Sequence, residues 1–271
     1  MIRFICLIAS VLLSFMGSTR CVSQQMENPT HRQVKFFFPG ASIRPDFKFN
    51  FPVKYVEVMI NSADNTRLDA VLFKADSARG VIYYLHGNSG GVDKWGAISK
   101  TYTDLHYDPF IFDYRGYGKS GGSIKNEAEL LQDVQRGYDY LKSKYEESKI
   151  IVLGYSIGTG PAAYLAANNH PHKLILQAPY YSLSDAMHHL RPRYDTLQIP
   201  FHLNTCQYLQ KTTAPVVIFH GDNDKMFYYG SSQKLKAFFK PGDKLITLKG
   251  AGHPFMDRNP VYRDSLKTNL N

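Results

Sequence analysis

Residues spread along the second half of the chain have the types and settings needed for acyl-transfer chemistry. Gly154-Tyr155-Ser156-Ile157-Gly158 is a G-x-S-x-G string that leaves the apolar run 150–153 and enters a helical stretch, 157 to about 168. Chance gives roughly 0.1 such match in a chain of this length at average glycine usage. Between a strand and a helix, such a string holds its serine in a strained turn, and the flanking glycines relieve close contacts there. The helix that follows aims its positive end at the serine. Pro161 lies in its first turn, where proline is tolerated. A serine hydroxyl is a weak nucleophile until a base takes its proton. His253, in Gly250-Ala251-Gly252-His253, follows the last apolar run and has small neighbours that allow a loop to come close. Such a histidine needs a carboxylate to fix its tautomer and balance the imidazolium. Asp222 and Asp224 both follow the run 216–219. Asp224 is the preferred acid, because Asp222 suits the turn itself; Asp185 is a third candidate. The order Ser156, Asp224, His253 is nucleophile, acid, base.

Attack on an acyl carbonyl also needs donors aimed at the oxygen that becomes negative. The N–H of Ile157, directly after the serine, is expected to supply one. The loop His86-Gly87-Asn88 is expected to supply the other through the Asn88 N–H; the Asn88 side chain has the alternative role of capping that loop. His86 and His220, each followed by glycine at the end of an apolar run, are read as loop-orienting residues. The remaining histidines have no comparable setting. The closest histidine pairs, His170 with His172 and His188 with His189, lack a second ligand pair at a zinc spacing.

The elements that must position these groups alternate. The segments 55–60 (YVEVMI) and 68–74 (LDAVLFK) read as paired half-buried strands across a turn at 62–65. The short apolar runs 81–85, 110–112, 150–153, 174–176, 216–219 and 245–248 read as buried strands of a parallel sheet. The segment 126–145 reads as a helix. Asn126 and Glu129 form a capping-box pattern, and Leu130, Val134, Tyr138, Leu141 and Tyr145 share one face. Strands alternating with helices give an α/β fold, a mostly parallel central sheet with helices on both faces. Such sheets carry their chemistry in loops at the carboxyl ends of the strands, which is where each candidate residue falls.

The chain has 271 residues, 44% hydrophobic and 20% charged, a globular profile that excludes a disordered chain, a collagen-like repeat and a polytopic membrane protein. Three cysteines, Cys6, Cys21 and Cys206, are too few for a disulfide framework. The net charge of +9 serves solubility, or a face toward anionic lipid headgroups or an acidic substrate. No run of Lys and Arg reaches the density of a nucleic-acid-binding patch. Residues 1–21 read as an export signal or membrane anchor, with Arg3, an apolar run 4–16 and then Gly17-Ser18-Thr19. An exported protein, periplasmic, secreted or membrane-attached by its N-terminus, is therefore expected. Cys21 stands where a lipoprotein signal places its acylated cysteine, although Arg20 occupies a position that signal reserves for a small residue. The segment 22–54, broken by Pro29, Pro39, Pro45 and Pro52, reads as an irregular lead-in to the domain 55–271.

The motifs His86-Gly87-Asn88-Ser89-Gly90, Asp113-Tyr114-Arg115-Gly116-Tyr117-Gly118-Lys119-Ser120, Gly154-Tyr155-Ser156-Ile157-Gly158, His220-Gly221 with Asp224, and Gly252-His253 resemble the α/β-hydrolase superfamily. The similarity is greatest to its small-lid serine hydrolases, the abhydrolase-domain and serine-aminopeptidase-like branch. That resemblance implies a cofactor-free hydrolase of esters, thioesters or amides that acts on a small-molecule or acyl-group substrate. It also places the acid three residues after the His-Gly pair, at Asp224. Many relatives carry a large helical cap, whereas only about 35 residues, 180–214, are left here for a short lid. Tyr180, Tyr181, Tyr194, Phe227, Tyr228 and Tyr229 are candidates for an apolar pocket, or for ordinary packing. Gly116-Tyr117-Gly118-Lys119-Ser120-Gly121 matches a dinucleotide-binding string, but the acidic residues about 20 positions on lie inside the next helix, against that reading. Two rivals use the same fold: a non-catalytic binding protein, and an acyltransferase that passes the acyl group to an acceptor other than water.

Overall fold

Runs of branched and aromatic residues that do not alternate with polar ones build the middle of a sheet covered on both faces. The structure, a computed structural model, describes residues 31–193, 199 and 201–270. The expected signal at 1–21, Cys21 and Tyr194 lie outside the described residues. The lead-in forms helix α1 (His31–Phe37) and strand β1 (Ala41–Ser42). Strands β2 (Tyr55–Asn61), β3 (Arg67–Phe73) and β4 (Gly80–Leu85) follow. Helices α2 (Val92–Trp95) and α3 (Ser99–Thr103) lead to β5 (Tyr107–Phe112), β6 (Tyr117–Gly118) and α4 (Glu127–Lys142). Then come β7 (Ile150–Tyr155), α5 (Thr159–Asn168), β8 (Lys173–Gln177), α6 (Leu183–Leu190) and α7 (Thr205–Lys211). The chain closes through β9 (Val216–Gly221), α8 (Gly230–Leu235), β10 (Lys244–Leu248) and α9 (Pro260–Leu270).

Eight strands form one sheet in the order β10-β9-β8-β7-β4-β5-β3-β2. Every pairing is parallel except those of β3 with β5 and with β2. Side chains alternate across each strand. Tyr83, Leu85, Val152 and Ile218 enter the core beneath α4 and α5, and Ile82, Tyr84, Leu153 and Phe219 enter the core beneath α3 and α9. Successive strands leave β4 first toward β5 and then, after the chain returns, toward β7. The carboxyl ends of β4 and β7 therefore flank the crevice where an open α/β sheet binds its ligand.

All eight strands of this sheet coincide with the expected runs, within a few residues at each end. Helix α4 is capped by Asn126, whose side-chain oxygen accepts the Glu129 N–H at 2.9 Å, while the Glu129 carboxylate reaches one residue beyond the cap to the Lys125 N–H. The described part of the lead-in departs from the irregular segment read from sequence. Val34 and Phe37, one helical turn apart, bury the inner face of α1, and Ala41 and Ser42 pair in parallel with β6. Prolines punctuate this stretch but fall outside both elements.

The loop after β5 is fixed by charge. Arg115, its side chain 2% exposed, grips Asp133 of α4 through Nε at 2.5 Å and Nη2 at 3.0 Å, and grips Asp64 of the β2–β3 turn at 2.7 and 3.0 Å. Burial pushes the Asp133 carboxyl up, and the guanidinium offsets only part of that rise. Arg115→Leu leaves that carboxylate buried without a partner. It is expected to cost about 3–5 kcal/mol, read as a lower midpoint in urea unfolding; an unchanged midpoint would show that the clamp contributes nothing.

Candidate active site

The site begins with a backbone constraint at the end of β7. A side-chain carbon on Gly154 would lie 2.5 Å from the Gly158 carbonyl oxygen and 2.7 Å from Thr159 Cα. One on Gly158 would overlap the Leu85 carbonyl at the end of β4. Only hydrogen fits at both positions. Between them Ser156 has φ +55°, in the left-handed region that side chains avoid. The turn is closed by the Thr159 hydroxyl, which donates to the Ser156 carbonyl at 2.6 Å.

His253, in the loop after β10, brings Nε2 within 2.8 Å of Ser156 Oγ. Its Nδ1 lies 2.7 Å from Asp224 Oδ2, in the loop after β9. A carboxylate only accepts, so Nδ1–H donates to it and Nε2 is left to accept the serine proton. The Asp224 side chain is fully buried, and its Oδ1 accepts the N–H groups of Met226 at 2.8 Å and Phe227 at 3.0 Å. His220 Nε2 stands 2.8 Å from the Phe227 carbonyl and 3.3 Å from Asp224 Oδ2. Nε2 therefore carries the hydrogen, and His220 Nδ1 accepts from the Ser232 hydroxyl at 2.6 Å. Burial alone pushes the Asp224 carboxyl up. Hydrogen bonds from His220, His253 and the backbone outweigh it and hold the carboxyl well below the usual range.

The other candidates sort by position. Asp222 accepts the Gly250 N–H at 2.7 Å and ties the β9 and β10 loops together. Asp185, at the start of α6, accepts from the Tyr228 hydroxyl at 2.7 Å and pairs with Lys234. Neither of the two is hydrogen-bonded to His253. Ile157 is buried in the 3-10 turn Ser156–Gly158, and Asn88 is half-buried in the loop after β4. Among the pocket candidates, Phe227 packs 5.6 Å from the His253 ring, ring centre to ring centre. Tyr180 is fully buried and donates to the Ile157 carbonyl at 3.1 Å, and Tyr229 bonds to Thr247, so both act in packing. The glycine-rich string at 116–121 is occupied by its own fold: Lys119 pairs with Glu57, and the Ser120 hydroxyl donates to the Asp113 carbonyl at 2.7 Å. Among the described residues, no group of three or more His, Cys, Asp or Glu side chains is placed to hold a metal ion.

Two contacts escaped the sequence reading. Tyr155, the variable residue ahead of the serine, donates its hydroxyl to the His253 carbonyl at 2.9 Å. Burial and the nearby Asp224 charge push its phenol up, so it remains a donor. His220 gives Asp224 a second imidazole. Nothing in the string G-x-S-x-G marks the first, and for the second the sequence offers only the glycine after His220, a sign of a loop.

A family profile described as serine aminopeptidase, S33 matches residues 76–206. Lysophosphatidylserine lipase ABHD12 of Xenopus tropicalis is 25% identical over 218 residues, 69% of this chain and 56% of that protein. Thus the chain spans little more than half the length of that relative. Alpha/beta hydrolase domain-containing protein 17C of Mus musculus is 29% identical over 244 residues, 84% of this chain and 74% of the relative. Among solved structures, the Pyrococcus furiosus esterase Pf2001 superposes with a TM-score of 0.67 at 18% identity, over 86% of this chain and 96% of the esterase. The sheet order and the strand–turn–helix at Ser156 give the chain an α/β-hydrolase fold, and these comparisons make it similar to hydrolases of that superfamily.

Proposed function

We propose that the protein is a serine hydrolase that cleaves a carboxylic ester through an acyl-enzyme, with thioesters and amides as the chemically adjacent substrates. The observation that carries this reading is the unbroken line of hydrogen bonds from Ser156 Oγ through the His253 ring to Asp224, at 2.8 and 2.7 Å. The ester preference draws on the lipase and esterase names among the related proteins. Ser156 Oγ attacks the acyl carbon while His253 Nε2 takes its proton. The tetrahedral oxygen is held by the N–H groups of Ile157 and Asn88. His253 then protonates the leaving alcohol, and the acyl-enzyme is cleaved by a water that the same nitrogen activates. Asp224 stays ionised throughout and stabilises the imidazolium.

Removing the nucleophile tests the core of this scheme. Ser156→Ala should lower kcat on nitrophenyl esters to background, a fall on the order of 10⁶-fold, and should abolish labelling by a fluorophosphonate probe. Full labelling of that variant would refute the assignment. A parallel screen of nitrophenyl esters, thioesters and aminoacyl amides ranks the substrate classes.

Tyr155→Phe removes one hydrogen bond to the backbone of His253. A roughly 3- to 10-fold fall in kcat with little change in KM is expected, the worth of one such bond; steady-state kinetics on the same esters reads it, and an unchanged kcat would remove Tyr155 from the account.

The depressed carboxyl of Asp224 has a consequence for stability. In the folded protein this group binds its proton more weakly than in the unfolded chain, so it contributes stability above the unfolded value, about 3.9, and loses it as pH falls toward the folded value. Asp224→Asn has no such carboxylate to protonate. Its melting temperature should therefore decline less steeply than wild type between about pH 4 and pH 2; equal slopes would show that Asp224 is not held ionised by the fold.

A further inference from the structure

His86 ends β4 with its side chain fully buried, stacked on Trp95 and packed against Tyr114 at 4.5 Å and Tyr117 at 5.4 Å. Its Nδ1 lies 2.6 Å from the Gly87 carbonyl oxygen. A carbonyl only accepts, so Nδ1 carries a hydrogen. Nε2 is buried with no hydrogen bond, and the atom facing it is Asp113 Oδ1 at 3.5 Å. The Asp113 side chain is 1% exposed, and the same oxygen accepts the Val92 N–H at 2.8 Å. Burial pushes the Asp113 carboxyl up, His86 offsets part of that rise, and the Asp93 charge adds to it.

The carbonyl that His86 holds belongs to the peptide between Gly87 and Asn88. That peptide is trans, so its C=O and its N–H point in opposite directions. Fixing the Gly87 oxygen therefore fixes the direction of the Asn88 N–H. The loop is braced on both sides of this peptide, since Tyr114 donates to the His86 carbonyl at 3.0 Å and Tyr117 to the Asn88 carbonyl at 3.2 Å. No described group accepts a hydrogen bond from the Asn88 N–H itself.

We propose that His86 is a positioning residue: with its hydrogen on Nδ1, it locks the Gly87–Asn88 peptide and aims the Asn88 N–H at the substrate oxygen. This rests on the reading of Asn88 as an oxyanion donor. His86 thus acts on the reaction through a peptide plane rather than by touching substrate.

The lock is tested by two independent readouts on the full chain. In protein labelled with ¹⁵N at histidine, a long-range ¹H–¹⁵N spectrum reports which ring nitrogens bear hydrogen, with His86→Gln used to assign the signal. A protonated Nδ1 at pH 7 supports the proposal, and an unprotonated Nδ1 overturns it. The second readout is kcat per fluorophosphonate-titrated site, which discounts misfolded protein. An asparagine side chain can place an N–H close to where Nδ1–H stands, and leucine cannot. His86→Asn should stay within a few-fold of wild type, while His86→Leu should lose about 10²-fold in kcat with KM little changed, the scale of one misdirected oxyanion donor. Equal kcat for the two variants overturns the proposal. Should the leucine variant fail to fold, the spectrum of the wild-type protein decides. The spectrum also separates the two readings: a protein without Ser156-dependent hydrolysis that still shows Nδ1–H keeps the lock but loses the hydrolase, and an active enzyme with bare Nδ1 loses the lock alone.

Discussion

The architecture of the site depends on how closely the backbone after β7 approaches the end of β4. Gly154 and Gly158 let the chain turn back on itself against Leu85 and His86, and the turn forces Ser156 into a left-handed conformation. A side chain in that region costs on the order of 1–3 kcal/mol, which the surrounding sheet must offset. Here β7 is the central partner of β4 and β8, buried almost throughout, so the strain is held by the most firmly packed part of the protein. The serine is thus placed by the sheet, and the loops need only reach it.

Two such loops arrive from neighbouring strands, and each is stiffened by hydrogen bonds away from Ser156. The β9 loop wraps its N–H groups around Asp224, and His220 braces the same turn. The β10 loop is tied to it through Asp222 and is held from below by Tyr155. A carboxylate this deeply buried is tolerable only because every face meets a donor. The consequence is a His253 ring whose orientation is set from three sides, by Asp224, by Tyr155 and by the ring of Phe227. On the opposite wall, the β5 loop is clamped by Arg115 to α4 and to the β2–β3 turn, and it presents Asp113 to His86.

Much of this was legible because the relevant signals are local. Two alternating runs and six short apolar runs marked the eight strands of the main sheet, and the residues just beyond three of them, after 150–153, 216–219 and 245–248, include those that converge at Ser156. Of the three candidate acids, Asp224 is the one hydrogen-bonded to His253, while Asp222 joins the β9 and β10 loops and Asp185 holds Tyr228 and Lys234. What remained hidden depends on contacts between distant segments. Helix α1 looked irregular because it is short and flanked by prolines, and its helical face appears only when Val34 and Phe37 find the core. Tyr155 sits at a position any residue could fill; its role exists only because His253 passes above it. The surroundings of His86 likewise appear only in the fold, where Tyr114, Tyr117 and Asp113, 27 to 31 residues further along the chain, close around its ring.

The 97-residue separation between Ser156 and His253 also bears on biogenesis. The elbow is complete once β7 and α5 have packed, but its base belongs to a loop synthesised after nearly all the rest of the sheet. Contacts this distant form late and slowly in parallel α/β topologies. On the proposed chemistry, an emerging or half-assembled polypeptide therefore carries an inert hydroxyl, and turnover begins only as the last strand docks. Hydrolytic competence thereby becomes an internal report of finished folding.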